Sequence, residues 1–170
     1  MHSNPEITTN SRHNKGINQP RDPKLLDYVP ADRALHVIDF ENLVGGPNTD
    51  LLTALNSLES YSELSGYQEP DHVIISVNPA LAVEASWFWP GAQVVTRKGA
   101  NGADLALLAA IRDVEWFASR YDRLLIGSGD GIFHSAAADY AASGVEVGVV
   151  SRRSSISNQL RTAADWVREY

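Results

Sequence analysis

The feature that most constrains this chain is a set of short stretches that stay apolar instead of alternating. Leu35-His36-Val37-Ile38, Val73-Ile74-Ile75, Leu124-Leu125-Ile126 and the stretch from Val145 to Val150 are the clearest. A strand with one wet face alternates apolar and polar residues, whereas a strand covered on both faces does not. We read strands over Leu35–Phe40, Val73–Val77, Gln93–Thr96, Arg123–Ile126 and Val145–Val150. Helical patterns separate them. Leu51, Leu52, Leu55, Leu58 and Leu64 follow the 3.6-residue period, Asn78-Pro79 opens a helix through about Phe88, and one long helix is expected over about Ala103–Ser119. An alanine-rich helix over residues 132–143 stops at Gly144, and a short one follows Ser157. The alternation predicts an α/β fold: a three-layer α/β/α sandwich around a mainly parallel five-stranded sheet in the order 3-2-1-4-5. Trp166-Val167-Arg168 is a candidate edge strand outside those five.

With 170 residues, 44% of them hydrophobic, the chain can build one domain with a proper core. We place that domain at residues 34–170. Residues 1–33, punctuated by Pro5, Pro20, Pro23 and Pro30, are expected to form a disordered or loosely docked arm, with Leu25, Leu26, Tyr28 and Val29 as docking candidates. No apolar run reaches the roughly eighteen residues that span a bilayer, and the N-terminus lacks a basic-then-apolar export signal. A cytoplasmic protein is expected. The absence of cysteine excludes disulfides, thiol catalysis and Cys-based zinc sites. The net charge of −7 argues against binding nucleic acid by bulk electrostatics.

Part of that acidity has a local explanation. Asp39 ends the first strand and Asp130 sits in the glycine-rich turn Gly127-Ser128-Gly129-Asp130-Gly131 after the fourth. In the order 3-2-1-4-5 those strands are neighbours at the reversal of strand order, where open α/β sheets bind ligands. Asp104 precedes Leu107, Leu108 and Ile111 by three, four and seven residues, so it shares their sheet-facing stripe. An inward carboxylate needs a partner. Singly, each acid also reads as a helix or turn cap; together they suggest a site for a hard divalent cation, Mg2+ or Mn2+. Glu41 would add a ligand, and Asn42 would bond Asp39 or a substrate phosphate, or simply shape the turn. Arg97-Lys98 and Arg152-Arg153, at strand-to-loop transitions, would meet the phosphates of a polyanion, and Trp87, Phe88 and Trp89 either stack on bases or pack in the core.

Three stretches resemble the NYN domains, a branch of the PIN-like metal-dependent ribonucleases: Val37-Ile38-Asp39-Phe40-Glu41-Asn42-Leu43, Lys98-Gly99-Ala100-Asn101-Gly102-Ala103-Asp104 and Gly127-Ser128-Gly129-Asp130-Gly131-Ile132-Phe133. Ser157-Asn158-Gln159-Leu160 with Ala164-Asp165 adds a weaker match, and the resemblance covers residues from about 35 to 170. It implies a PIN-like fold, phosphodiester hydrolysis of RNA, single-stranded RNA favoured, and metal-binding acids at Asp39, Asp104 and Asp130 with Asn42 as polar companion. Many relatives carry a second Asp two residues after the position of Asp130, where this chain has Ile132; Glu41 or His134 would have to substitute.

That departure supports the main alternative, a catalytically weak or inactive module of the same fold that binds RNA or protein. A haloacid-dehalogenase-type phosphatase is a weaker alternative, because Asp39-Phe40-Glu41 and the late turn match its acids only in part. A dinucleotide site is weaker still: the glycine turn follows the fourth strand and has the wrong spacing. The sequence leaves a homodimer open.

Overall fold

The computed structural model describes residues 32–170. The arm expected over residues 1–33, including Leu25, Leu26, Tyr28 and Val29, lies outside the described residues except for its last two. Asp32 and Arg33 are tied to the turn ahead of the fourth strand: the Asp122 carboxylate accepts both their backbone N–H groups, at 3.1 and 3.0 Å.

Among the described residues six strands form one sheet: β1 (Ala34–Asp39), β2 (His72–Ser76), β3 (Gln93–Val95), β4 (Arg123–Gly127), β5 (Glu146–Ser151) and β6 (Trp166–Glu169). Their order is β3-β2-β1-β4-β5-β6, with each neighbouring pair parallel. The expected order of the first five is observed; the expected number of strands is corrected from five to six. Trp166–Glu169 pairs with β5 in register from Gly148↔Trp166. A Cβ at Gly148 would overlap the Trp166 indole, so the glycine lets that ring lie across β5. The sixth strand is half-buried or exposed at every residue, which is why it lacks the apolar signature of the inner strands.

Among the described residues seven α-helices cover the sheet: α1 (Phe40–Val44), α2 (Leu51–Ser65), α3 (Ala82–Phe88), α4 (Gly102–Ala110), α5 (Val114–Ala118), α6 (His134–Ala142) and α7 (Asn158–Ala163). On one face Leu35, Val37, Leu124 and Ile126 pack with Leu107, Ile111, Phe117, Tyr140 and Leu160 from α4 to α7 and the turn after α4. On the other, Ile38, Val73 and Ile75 pack with Leu43, Leu58, Tyr61 and Trp89. Alternate residues of β1 thus serve opposite cores, and each fully buried Leu or Ile stabilises by about 1.5–3 kcal/mol.

One helical expectation and one strand boundary are corrected. Residues 103–119 form two helices, because the Asp113 carboxylate caps the second by accepting the Trp116 N–H at 3.0 Å. At the break, the Ile111 carbonyl accepts the Tyr140 hydroxyl at 2.8 Å. Phe40, expected to end the first strand, instead starts α1, which Asp39 caps and Gly45, at φ 102°, terminates.

One polar group sits deep in this apolar frame. His36 is fully buried, with Nδ1 2.9 Å from the Tyr61 hydroxyl and Nε2 3.2 Å from an Asp71 carboxylate oxygen. Among the described residues no helix is long and apolar enough to cross a membrane.

Candidate functional site

Chain order reverses between β1 and β4, whose last paired residues are Ile38 and Gly127. The carboxyl ends of these strands open into a cleft of about 660 Å3. Asp39, Asp104 and Asp130 all line it, as do Glu41, Asn42, Arg97 and Lys98. Three acids separated by long stretches of sequence therefore share one cleft.

Asp39 is only 5% exposed and Asp104 8%. Both line the same cleft and each perturbs the other's titration, as two carboxyls do when they are near enough to favour a shared proton in the absence of a cation. Burial, then the contact with Asp104 and its charge, pushes Asp39 up to about 7; the Asn42 N–H opposes the shift and the Glu41 charge adds to it. Asp104 is also raised, by burial first and by the charge of Asp130, against the lowering effect of its bond to Asp39. Asp130 is exposed, and its Oδ1 accepts the Ile132 N–H at 2.9 Å, so it caps the 3-10 turn Gly131–Phe133 while lining the cleft. One Glu41 carboxylate oxygen is buried without a hydrogen-bond partner.

The basic residues divide. Arg97 and Lys98 are exposed on the loop before α4, on the cleft wall. That loop is drawn tight at Gly102, where a Cβ would overlap the Arg97 carbonyl oxygen. Arg152 instead donates from Nε to the Asn42 carbonyl at 3.1 Å, with its guanidinium against Gly45. Neither Arg152 nor Arg153 lines the cleft. No cation forms an ion pair with the cleft acids among the described residues.

The other singled-out side chains also separate. Ile132 is half-buried against the core. His134 is exposed and off the cleft wall, its Nδ1 2.8 Å from the Gly131 carbonyl and its Nε2 3.1 Å from the Ser135 hydroxyl. Trp89 is buried, Phe88 stacks on Phe40 with ring centres 5.6 Å apart, and Trp87 stands 75% exposed. Sequence reasoning missed Ser128. It is fully buried, its hydroxyl is 3.5 Å from Asp39 Oδ2, and it accepts the Asp130 N–H at 3.1 Å. A small hydroxyl between two glycines was its only trace in the sequence.

Among the described residues no group of three or more His, Cys, Asp or Glu side chains is arranged to hold a metal ion as it stands. The donor set nevertheless suits a hard cation: oxygen-only ligands, two buried carboxyls in one cleft, and an orphaned Glu41 carboxylate oxygen in the same cleft.

The sequence profile of the NYN domain matches residues 37–169, which contain all of these acids. The chain belongs to the NYN domain family. Membership indicates a nuclease-like, RNA-related function. This NYN domain is also similar to the crystal structure of a protein of unknown function from Vibrio parahaemolyticus RIMD 2210633. The two share 16% identity at a TM-score of 0.52, over 81% of this chain and 92% of that one, a likeness that concerns the fold alone. No curated protein matches the chain.

Proposed function

We propose that this NYN domain is a divalent-metal-dependent endoribonuclease acting on single-stranded RNA. The observation that carries the reading is the pair of buried acids, Asp39 and Asp104, in one cleft whose acids have no cationic partner among the described residues. Burial and mutual proximity raise the pKa of both carboxyls, an arrangement that becomes favourable when a divalent cation takes the place of a proton. Asp39 and Asp104 would hold Mg2+ or Mn2+, with Asp130 and Glu41 extending the anionic wall. Magnesium commonly keeps several waters beside one or two carboxylates, so direct ligation by all four acids is not required. A cation held there would supply an activated water and stabilise charge on the scissile phosphate. Arg97 and Lys98 hold neighbouring phosphates on the same wall, which offsets the −7 net charge locally.

A second reading has its own support. Ile132 brings no carboxylate, and Asp130 is engaged as a turn cap. Both features suit a module that binds RNA without cutting it.

The test is Mn2+-dependent cleavage of end-labelled single-stranded RNA by the purified protein. Cutting that disappears with EDTA, and in Asp39→Asn and Asp104→Asn variants with intact folds, is the expected result. Binding without cleavage supports the second reading, and phosphate release from small monoesters would point to a phosphatase. Equal cutting by parent and variants would trace the activity to a contaminating nuclease.

A further inference from the structure

Asn42 lines the cleft, yet its backbone groups and its side-chain oxygen are committed elsewhere. Its backbone N–H donates to Asp39 Oδ1 at 3.3 Å. Its side-chain oxygen accepts the Gly129 N–H at 2.9 Å, across 87 positions of sequence. Its carbonyl accepts Arg152 Nε, across 110. One residue thus joins the end of β1, the loop after β4 and the loop after β5. The amide orientation follows from chemistry: the Gly129 N–H requires an acceptor, so the oxygen faces it.

Gly129 is gripped from its other sides as well. A Cβ there would overlap the Ser155 carbonyl, and the Gly129 carbonyl accepts the Ser157 N–H at 2.8 Å. The next residue is Asp130. Placing Gly129 therefore places the start of the Asp130 turn, and among the described residues the side chain bonded to the Gly129 N–H is that of Asn42.

We infer that Asn42 is a positioning residue that ties the Gly129–Asp130 turn to α1 and so sets the separation of Asp39 and Asp130, rather than a residue that contacts RNA. The inference rests on the nuclease reading of the cleft. Arg152 is the outer half of the same brace, holding the Asn42 backbone from the β5 side. Residues that orient metal ligands without touching the metal typically change metal affinity by about 10–100-fold when removed.

The experiment compares the full-length parent with Asn42→Ala and Asn42→Asp, the latter keeping an oxygen for the Gly129 N–H. Three readouts are taken: Gly129 amide exchange by NMR, Mn2+ affinity by calorimetry, and kcat and KM on single-stranded RNA. In Asn42→Ala the Gly129 amide exchanges faster, Mn2+ affinity falls about ten-fold or more, and kcat drops with KM unchanged. Asn42→Asp restores Gly129 protection. A raised KM with unaltered kcat, Mn2+ affinity and Gly129 exchange would overturn the inference and make Asn42 a substrate contact. If the parent neither binds Mn2+ nor cuts RNA, the nuclease reading fails on its own, while Gly129 exchange still decides whether the tether exists.

Discussion

Asp39 meets two demands that pull in opposite directions. As the cap of α1 it accepts the Asn42 N–H, which favours the carboxylate, while burial and Asp104 favour the acid and prevail. Its pKa rises from 3.8 toward about 7 on folding, so the native state holds a proton that the unfolded chain releases near pH 4. The stabilisation is complete below pH 4 and is lost as pH rises through about 7, costing a few kcal/mol at most, at about 1.4 kcal/mol per unit. In metal-free buffer the parent should therefore lose more melting temperature between pH 5 and pH 8 than Asp39→Asn does. At pH 8 the variant should melt higher than the parent, by several degrees at about 2–4 °C per kcal/mol. A variant that melts lower at pH 8 would mean the Asp39–Asp104 contact is not strained. The acids themselves were legible in the sequence, because a strand end, a helix stripe and a glycine turn are local signals. The tether at Asn42 was not, since its partners lie 87 and 110 residues away.

At the scale of elements, the inner strands were legible because their apolar runs admit no exposed face, and the covering helices mostly followed from the 3.6 period. Apart from the sixth strand, whose exposure hid it, the failures share one cause: short polar side chains at helix starts outweigh hydrophobic periodicity. Asp39 starts α1 where a strand end and loop were expected, and Asp113 starts α5 inside an expected continuous helix. Asp113→Ala should lower stability by about 1 kcal/mol, the usual cost of losing such a cap, measured by urea unfolding. No change would mean that the Tyr140 contact to Ile111, rather than the cap, holds the break. Gly129 makes a sharper case. Gly129→Ala should displace the loop against Ser155, with kcat on RNA falling more than thermal stability; normal kcat would show that the loop can yield.

At the scale of the whole molecule, the sheet carries polar machinery on both ends of β1. At the carboxyl end are the acids. Toward the amino end, His36 joins Tyr61 of α2 to Asp71, whose carboxylate also accepts the Ala34 and Gln68 N–H groups. Nothing local distinguishes a histidine inside an apolar strand, so this network was invisible in the sequence. His36→Ala would leave the Tyr61 hydroxyl and the Asp71 carboxylate short of partners and open a cavity, for a loss of about 3 kcal/mol in urea unfolding. A loss below about 1 kcal/mol would show that water substitutes for the ring. The central claim concerns the other end of the strand, and it is tested most directly by titrating Mn2+ calorimetrically into the metal-free parent, Asp39→Asn and Asp104→Asn. The account predicts one ion bound by the parent, with protons released from the carboxyl pair as it binds, and binding lost or severely weakened in both variants. No binding by the parent, or the same affinity in all three proteins, would contradict it.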